Sequence, residues 1–144
     1  IRPGKAGLTG GGLIPDPVKV ETSGKGSMTL GDWSEKGILN NYSGGVLYRT
    51  SLSLNAADAE AQVVIDLGQV AGTAEILVNG KTAGIRVAPP WKQAITGLLN
   101  KGENTIEVLV YNTLSNHYQT IPSRYKGEPV SGLLEKVKLR LRGF

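Results

Sequence analysis

Cysteine is absent from this 144-residue chain, and histidine occurs once, at His117. Without thiols there is no disulfide, no thiolate nucleophile and no cysteine zinc site. Missing disulfides do not exclude an extracellular setting, because a chain of this length buries about two-thirds of its unfolded surface and needs no covalent staple. One His without Cys also removes most nucleophile–base constellations, and no Gly-x-Ser-x-Gly elbow occurs. No apolar run approaches the ~18 residues of a membrane-crossing helix, so no membrane partner is expected. Aromatic residues are few: five Tyr, two Trp and one Phe. The chain begins at Ile1 with neither Met nor a signal-like apolar stretch, which reads as an excised piece or a mature fragment.

Charge of one sign is not concentrated. The net charge is +4, and most basic residues are scattered. The one cluster is Lys136, Lys138, Arg140 and Arg142, interleaved with Val137, Leu139 and Leu141. At period two this is a strand with an apolar inner face and a basic outer face, read first as solvated surface. No recognition element accompanies it, so no nucleic-acid partner is expected.

What is present is period-two alternation. Residues 1–16 are rich in Gly and Pro and lack periodicity, giving a loose lead-in, and 17–144 form one domain. Val46, Tyr48, Thr50, Leu52 and Leu54 share one strand face, as do Val63, Ile65 and Leu67, then Ala74, Ile76 and Val78, then Ile106, Val108 and Val110. Asn79-Gly80 marks a type I′ hairpin, which needs positive φ at both central residues. Shorter strands are expected at 18–22, 27–30, 81–87 and 92–96. Only 56–60 and 95–99 could hold a helical turn, and neither is long enough for an independent helix. The pattern predicts an all-β antiparallel β-sandwich of eight or nine strands with negligible helix.

Antiparallel succession makes the loops alternate between the two ends of such a sandwich. The loops 31–45, 68–73, 88–91 and 113–135 then fall at one end, called end A. The loops 55–61, 79–80 and 97–103 fall at the other, end B. Trp33, Tyr42, Trp91, His117, Tyr118 and Tyr125 all lie in end-A loops, with Tyr111 close by. Asp32, Glu35, Asn40, Asn41, Asn116, Gln119, Arg124 and Glu128 accompany them. Rings that stack on the C–H faces of sugars, beside amides, carboxylates and Arg that bind hydroxyls, suit a carbohydrate site. The expected ligand-binding residues are Trp33, Tyr42, Trp91, Asn116, His117, Tyr118, Arg124, Tyr125 and Glu128. Trp33 and Trp91 read equally as loop packing, His117 as a hydrogen-bonded structural residue, and the 113–135 segment as a small core of its own. The one end-A carboxyl pairing a glycosidase could use is Asp32 or Glu35 with Glu128. No cofactor is expected. An oxygen-ligand calcium site at Asp32 or Asp16 remains open without supporting spacing.

The ordered motifs resemble a known family. They are Gly31-Asp32-Trp33; Asn41-Tyr42-Ser43-Gly44-Gly45-Val46-Leu47-Tyr48-Arg49; Val64-Ile65-Asp66-Leu67-Gly68; and Ala74-Glu75-Ile76-Leu77-Val78-Asn79-Gly80. Gly84, Pro89-Pro90-Trp91, Ile95-Thr96, Gly102-Glu103-Asn104-Thr105-Ile106-Glu107-Val108, Asn112 and Ser131-Gly132-Leu133-Leu134 complete the series. Over residues 28–142 the chain resembles the galactose-binding-like jelly-roll domain, as in the sugar-binding domain of family 2 glycosidases and the C-terminal domain of family 106 rhamnosidases. The resemblance implies a jelly roll belonging to a larger secreted glycosidase whose catalytic carboxylates sit in a separate domain. It implies that the loops before the Tyr48-Arg49 strand and after Asn112 can face substrate. The resulting expectation is a non-catalytic carbohydrate-binding module, extracellular or periplasmic, monomeric, and taking a plant cell-wall polysaccharide. The alternative is an accessory domain that docks on the parent catalytic domain without binding sugar itself.

Overall fold

The computed structural model describes residues 30–35, 39–119, 122, 124 and 127–142. The expected lead-in, the strand at 18–22 and all but Leu30 of the strand at 27–30 lie outside these residues, as do Asp16 and Tyr125. In chain order the elements are β1 (Gly45–Leu54), α1 (Ala56–Glu60), β2 (Gln62–Asp66), β3 (Val70–Ala71), β4 (Thr73–Val78) and β5 (Lys81–Arg86). There follow β6 (Lys92–Ala94), β7 (Gly102–Tyr111), α2 (Ser115–Tyr118), β8 (Gly132–Leu133) and β9 (Lys138–Arg142). The pairing is antiparallel throughout, in a four-stranded sheet β1-β7-β4-β5, a three-stranded sheet β6-β2-β9 and the short pair β3-β8.

The alternation expected from the sequence builds the core. Ile106, Val108 and Val110 of β7 and Ala74, Ile76 and Val78 of β4 face Val63 and Ile65 of β2, with Trp33, Leu67, Ile95 and Leu133 closing the cluster. Apolar faces from two sheets meeting in one cluster make an all-β sandwich. Asn79 and Gly80 take φ of 52° and 76°, as a type I′ turn requires. Asn55 caps α1 by accepting from the Asp58 amide at 2.8 Å. The other expected helical turn, 95–99, forms only an irregular turn, because Ile95 is drawn into the core and its amide bonds Val63 O at 2.9 Å. α2 and the two-residue strands β3 and β8 carry no period long enough to read from sequence.

Register decides which loops share an end. Gly45 and Thr73 both pair with Tyr111, while Leu54 pairs with Gly102 and Val78 with Ile106. The segments before β1, before β4, after β5 and after β7 therefore gather at end A, and the 55–61, 79–80 and 97–101 turns gather at end B.

Candidate functional site

End A is organised around residues 42–45. Asn112, the first residue after β7, ties that loop down. Its Oδ1 accepts from the Gly44 amide at 2.8 Å, and its Nδ2 donates to Tyr42 O at 2.8 Å. The Asn112 amide donates to Gly44 O at 3.2 Å. One side chain thus spans 68 to 70 positions of sequence and fixes where Tyr42 stands. Asn112→Ala is expected to cost about 1–2 kcal/mol, because the loop loses two specific partners at its centre. Amide hydrogen exchange at Gly44 should accelerate in this variant; an unchanged rate would mean that other contacts hold the loop.

The two glycines here serve the rings beside them. A methyl group on Gly44 would lie 2.6 Å from Tyr42 Oη, and one on Gly45 would lie 2.7 Å from the Tyr111 ring. Tyr42 Oη donates to Gly45 O at 2.9 Å. Two phenol rings are therefore laid over consecutive glycines, with Tyr42 38% and Tyr111 49% exposed. The edge of Tyr42 meets Trp33, at 6.4 Å between centroids and 66° between planes. Tyr111 is the binding candidate that sequence reasoning passed over. It ends a strand rather than sitting in a loop, and its placement over Gly45 follows only from the β1–β7 register.

α2 brings the next pair. The His117 amide donates to Ser43 Oγ at 3.1 Å, and the His117 and Tyr118 rings meet edge-on at 5.7 Å. Both side chains are exposed, Tyr118 to 37%. Tyr42, Tyr111, His117 and Tyr118 thus belong to one exposed group around 42–45.

Other expected contacts are placed differently. Trp33 has no accessible surface and stands in the core, so its ring offers no face to a sugar. Its amide donates to Ser131 O at 3.0 Å. Asn116 is also fully buried, with Oδ1 3.3 Å from Ser131 Oγ. These two are corrections to the expected site: burial makes them supports of end A rather than contacts. Trp91 is half-buried against the core, and its carbonyl accepts from the Leu67 amide at 2.8 Å. Arg124 and Glu128 are exposed. Glu128 lines a shallow cavity of about 400 Å³ with Gln69, Ala71, Gly72, Thr113, Val130 and Leu134. A larger concavity of about 670 Å³ opens beside β1, between Leu47, Tyr48, Thr50, Leu133 and Val137, away from the ring cluster.

The carboxyl pairing considered for catalysis and the calcium option both involve Asp32. Its Oδ1 accepts from Ser34 N at 2.9 Å, Ser34 Oγ at 2.7 Å and Ser131 N at 3.0 Å, which is the work of a turn-forming side chain. Among the described residues no group of three His, Asp or Glu is placed to hold a metal ion.

Comparison with known proteins gives the wider setting. No family model matches the chain. It is 32% identical over 91 residues to a protein of Formosa agariphila provisionally named a β-glucuronidase, covering 60% of this chain and 8% of that one. Among solved structures it resembles a rhamnosidase from Novosphingobium sp. PP1Y, with a TM-score of 0.64 and 25% identity over 76% of this chain and 12% of that one. It also resembles a β-glucuronidase of Bacteroides uniformis, with a TM-score of 0.57 and 25% identity over 76% of this chain and 13% of that one. The chain thus corresponds to a β domain found within glycoside hydrolases and spans about a tenth of their length.

Proposed function

We propose that this chain is a non-catalytic carbohydrate-binding domain of a larger secreted glycoside hydrolase, of the galactose-binding-like jelly-roll type. Poly- or oligosaccharide is taken at end A, and a plant cell-wall polysaccharide is the ligand class put forward. The observation that carries the reading is the pair of exposed rings, Tyr42 and Tyr111, seated on consecutive glycines. Rings pinned in this way lose little freedom when a pyranose stacks on them. His117, Tyr118, Arg124 and Glu128 are the exposed side chains assigned to the sugar hydroxyls and the ring edges, with Trp91 at the margin. The likeness to parts of glycosidases supports the same setting. Stacking on one or two rings with few fixed polar partners gives Kd values on the order of 10 µM to 1 mM.

Titration of the purified chain against a panel of plant and algal polysaccharides tests this. Tyr42→Ala and Tyr111→Ala are each expected to weaken binding about tenfold, equivalent to ~1.4 kcal/mol, while Tyr111→Phe keeps it. Equal binding by all four proteins would remove the rings from the site. Absence of binding throughout would favour the second reading, docking on the parent catalytic domain. That reading has its own observation. Leu47, Ile85 and Val87 on the outer side of the four-stranded sheet are 49%, 60% and 74% exposed, an apolar surface suited to a protein neighbour.

A further inference from the structure

We infer that the glycan taken by this domain is acidic, and that its carboxylate or sulfate groups are received by Lys92, Lys138 and Arg140 where the three-stranded sheet meets end A. The inference rests on the carbohydrate reading above and names the substrate class. Asp66, the last residue of β2, pairs in register with Lys92 of β6 on one side and Lys138 of β9 on the other. Its Oδ2 accepts from Arg140 Nε at 3.1 Å and Nη2 at 3.0 Å, with Lys92 Nζ at 3.6 Å, and its Oδ1 accepts from the Gly68 amide at 3.1 Å. The Gly68 amide first, and then the two cations, hold this carboxyl below the usual carboxylate range against the opposing effect of burial.

The geometry leaves an excess of positive charge pointing outward. The Asp66 side chain is 11% exposed, against 51% for Lys92 and 61% for Arg140. Lys138 is exposed and forms an ion pair with no carboxylate among the described residues. Three cations therefore stand around the sunken Asp66, and the Glu135 carboxylate lies over Gly68 beside them. Two carboxylates, one of them already shared by Arg140 and Lys92, do not neutralise three cations, and a cationic surface of this kind attracts a polyanion.

Spacing favours a linear one. Lys92 and Lys138 sit two strand separations apart, roughly 9–10 Å, close to the span of two linked pyranose rings. Acid groups on alternate sugars would meet them in turn. Position favours the same ligand, since Lys92 follows Trp91 and Asp66 precedes the Gly68 turn, both at end A.

The experiment compares matched pairs: polygalacturonate, alginate and glucuronoxylan, each against its carboxyl-reduced neutral counterpart. Binding is measured at 20 mM and 500 mM salt. At least one acidic member is expected to bind tenfold or more tightly than its neutral counterpart at low salt. Most of that difference should vanish at high salt, where the Debye length shrinks to a few ångströms. Lys138→Glu, at an exposed position outside any ion pair among the described residues, should abolish the preference while leaving neutral-glycan binding and the melting temperature unchanged.

Equal binding of acidic and neutral members overturns the inference, as does an acidic preference untouched by Lys138→Glu. Equally tight, Lys138-dependent binding of single-stranded DNA also overturns it, by showing a general polyanion surface. Neutral glycans binding through Tyr42 and Tyr111 without acidic preference would sink this inference and leave the carbohydrate reading standing. Loss of all glycan binding would sink both.

Discussion

Trp33→Ala should remove about 3–5 kcal/mol of stability, the cost of deleting a large buried ring and leaving its cavity. Trp33 has no accessible surface, and its ring packs in the same cluster as Leu133, Val110 and Ile65. Its edge contact with Tyr42 and its amide bond to Ser131 O at 3.0 Å also make it the floor under end A. Against a typical total of about 5–15 kcal/mol for a domain, such a loss takes much of what is available. Urea unfolding followed by far-UV circular dichroism measures it. A loss under about 1 kcal/mol would mean that the ring is a surface feature, contrary to its burial. The consequence for function is direct. Lost glycan binding in Trp33→Ala reports a damaged fold, so the informative substitutions at end A are Tyr42 and Tyr111.

Asn104→Ala is expected to be the next most damaging change, at about 2–4 kcal/mol, since it strands several buried hydrogen-bonding groups at once. Asn104 is 1% exposed. Its Oδ1 accepts from Asn79 Nδ2 at 2.9 Å and from the Asn100 amide at 2.8 Å. Its Nδ2 donates to Asn100 O at 2.7 Å and Gly102 O at 3.0 Å. Asn79 in turn donates to Leu98 O at 3.0 Å and accepts from the Thr105 amide at 2.9 Å. Two asparagines therefore fasten the β4–β5 hairpin to the turn leading into β7. Asn104→Asp should not rescue, because a carboxylate would face Asn100 O and Gly102 O with no proton to give. Thermal unfolding of both variants checks the ranking. End B lies opposite the rings, so folded Asn104→Ala should retain whatever end A binds; a binding loss without unfolding would show that the two ends are coupled.

The strands were legible because their signal is local. Alternation in 46–54, 62–67, 74–78 and 104–112 names both the element and its inward face, and the core is built from those residues. The Asn-Gly turn was equally plain, since few residue pairs accept positive φ twice. Loop placement followed from counting antiparallel strands, and the register bears that out in the four-stranded sheet. α2 was invisible, at four residues and without a side-chain cap. The site itself was only half legible. The sequence could gather rings at one end but could not tell which of them point outward.

Tertiary structure decided that last point, and burial is the reason. Trp33 and Tyr42 both precede β1, and only the cover of the core cluster separates a buried ring from an exposed one. Tyr111 became a candidate when pairing set it over Gly45, a residue 66 positions away with no side chain to displace it. Asp66 gained its two paired cations, Lys92 and Arg140, from strands 26 and 74 positions on. By itself the sequence determined strand, turn and inward face, since each rests on backbone sterics and apolar burial within a few residues. The meeting of rings, and of charges, depends on register between distant strands, and only the folded sandwich supplies it.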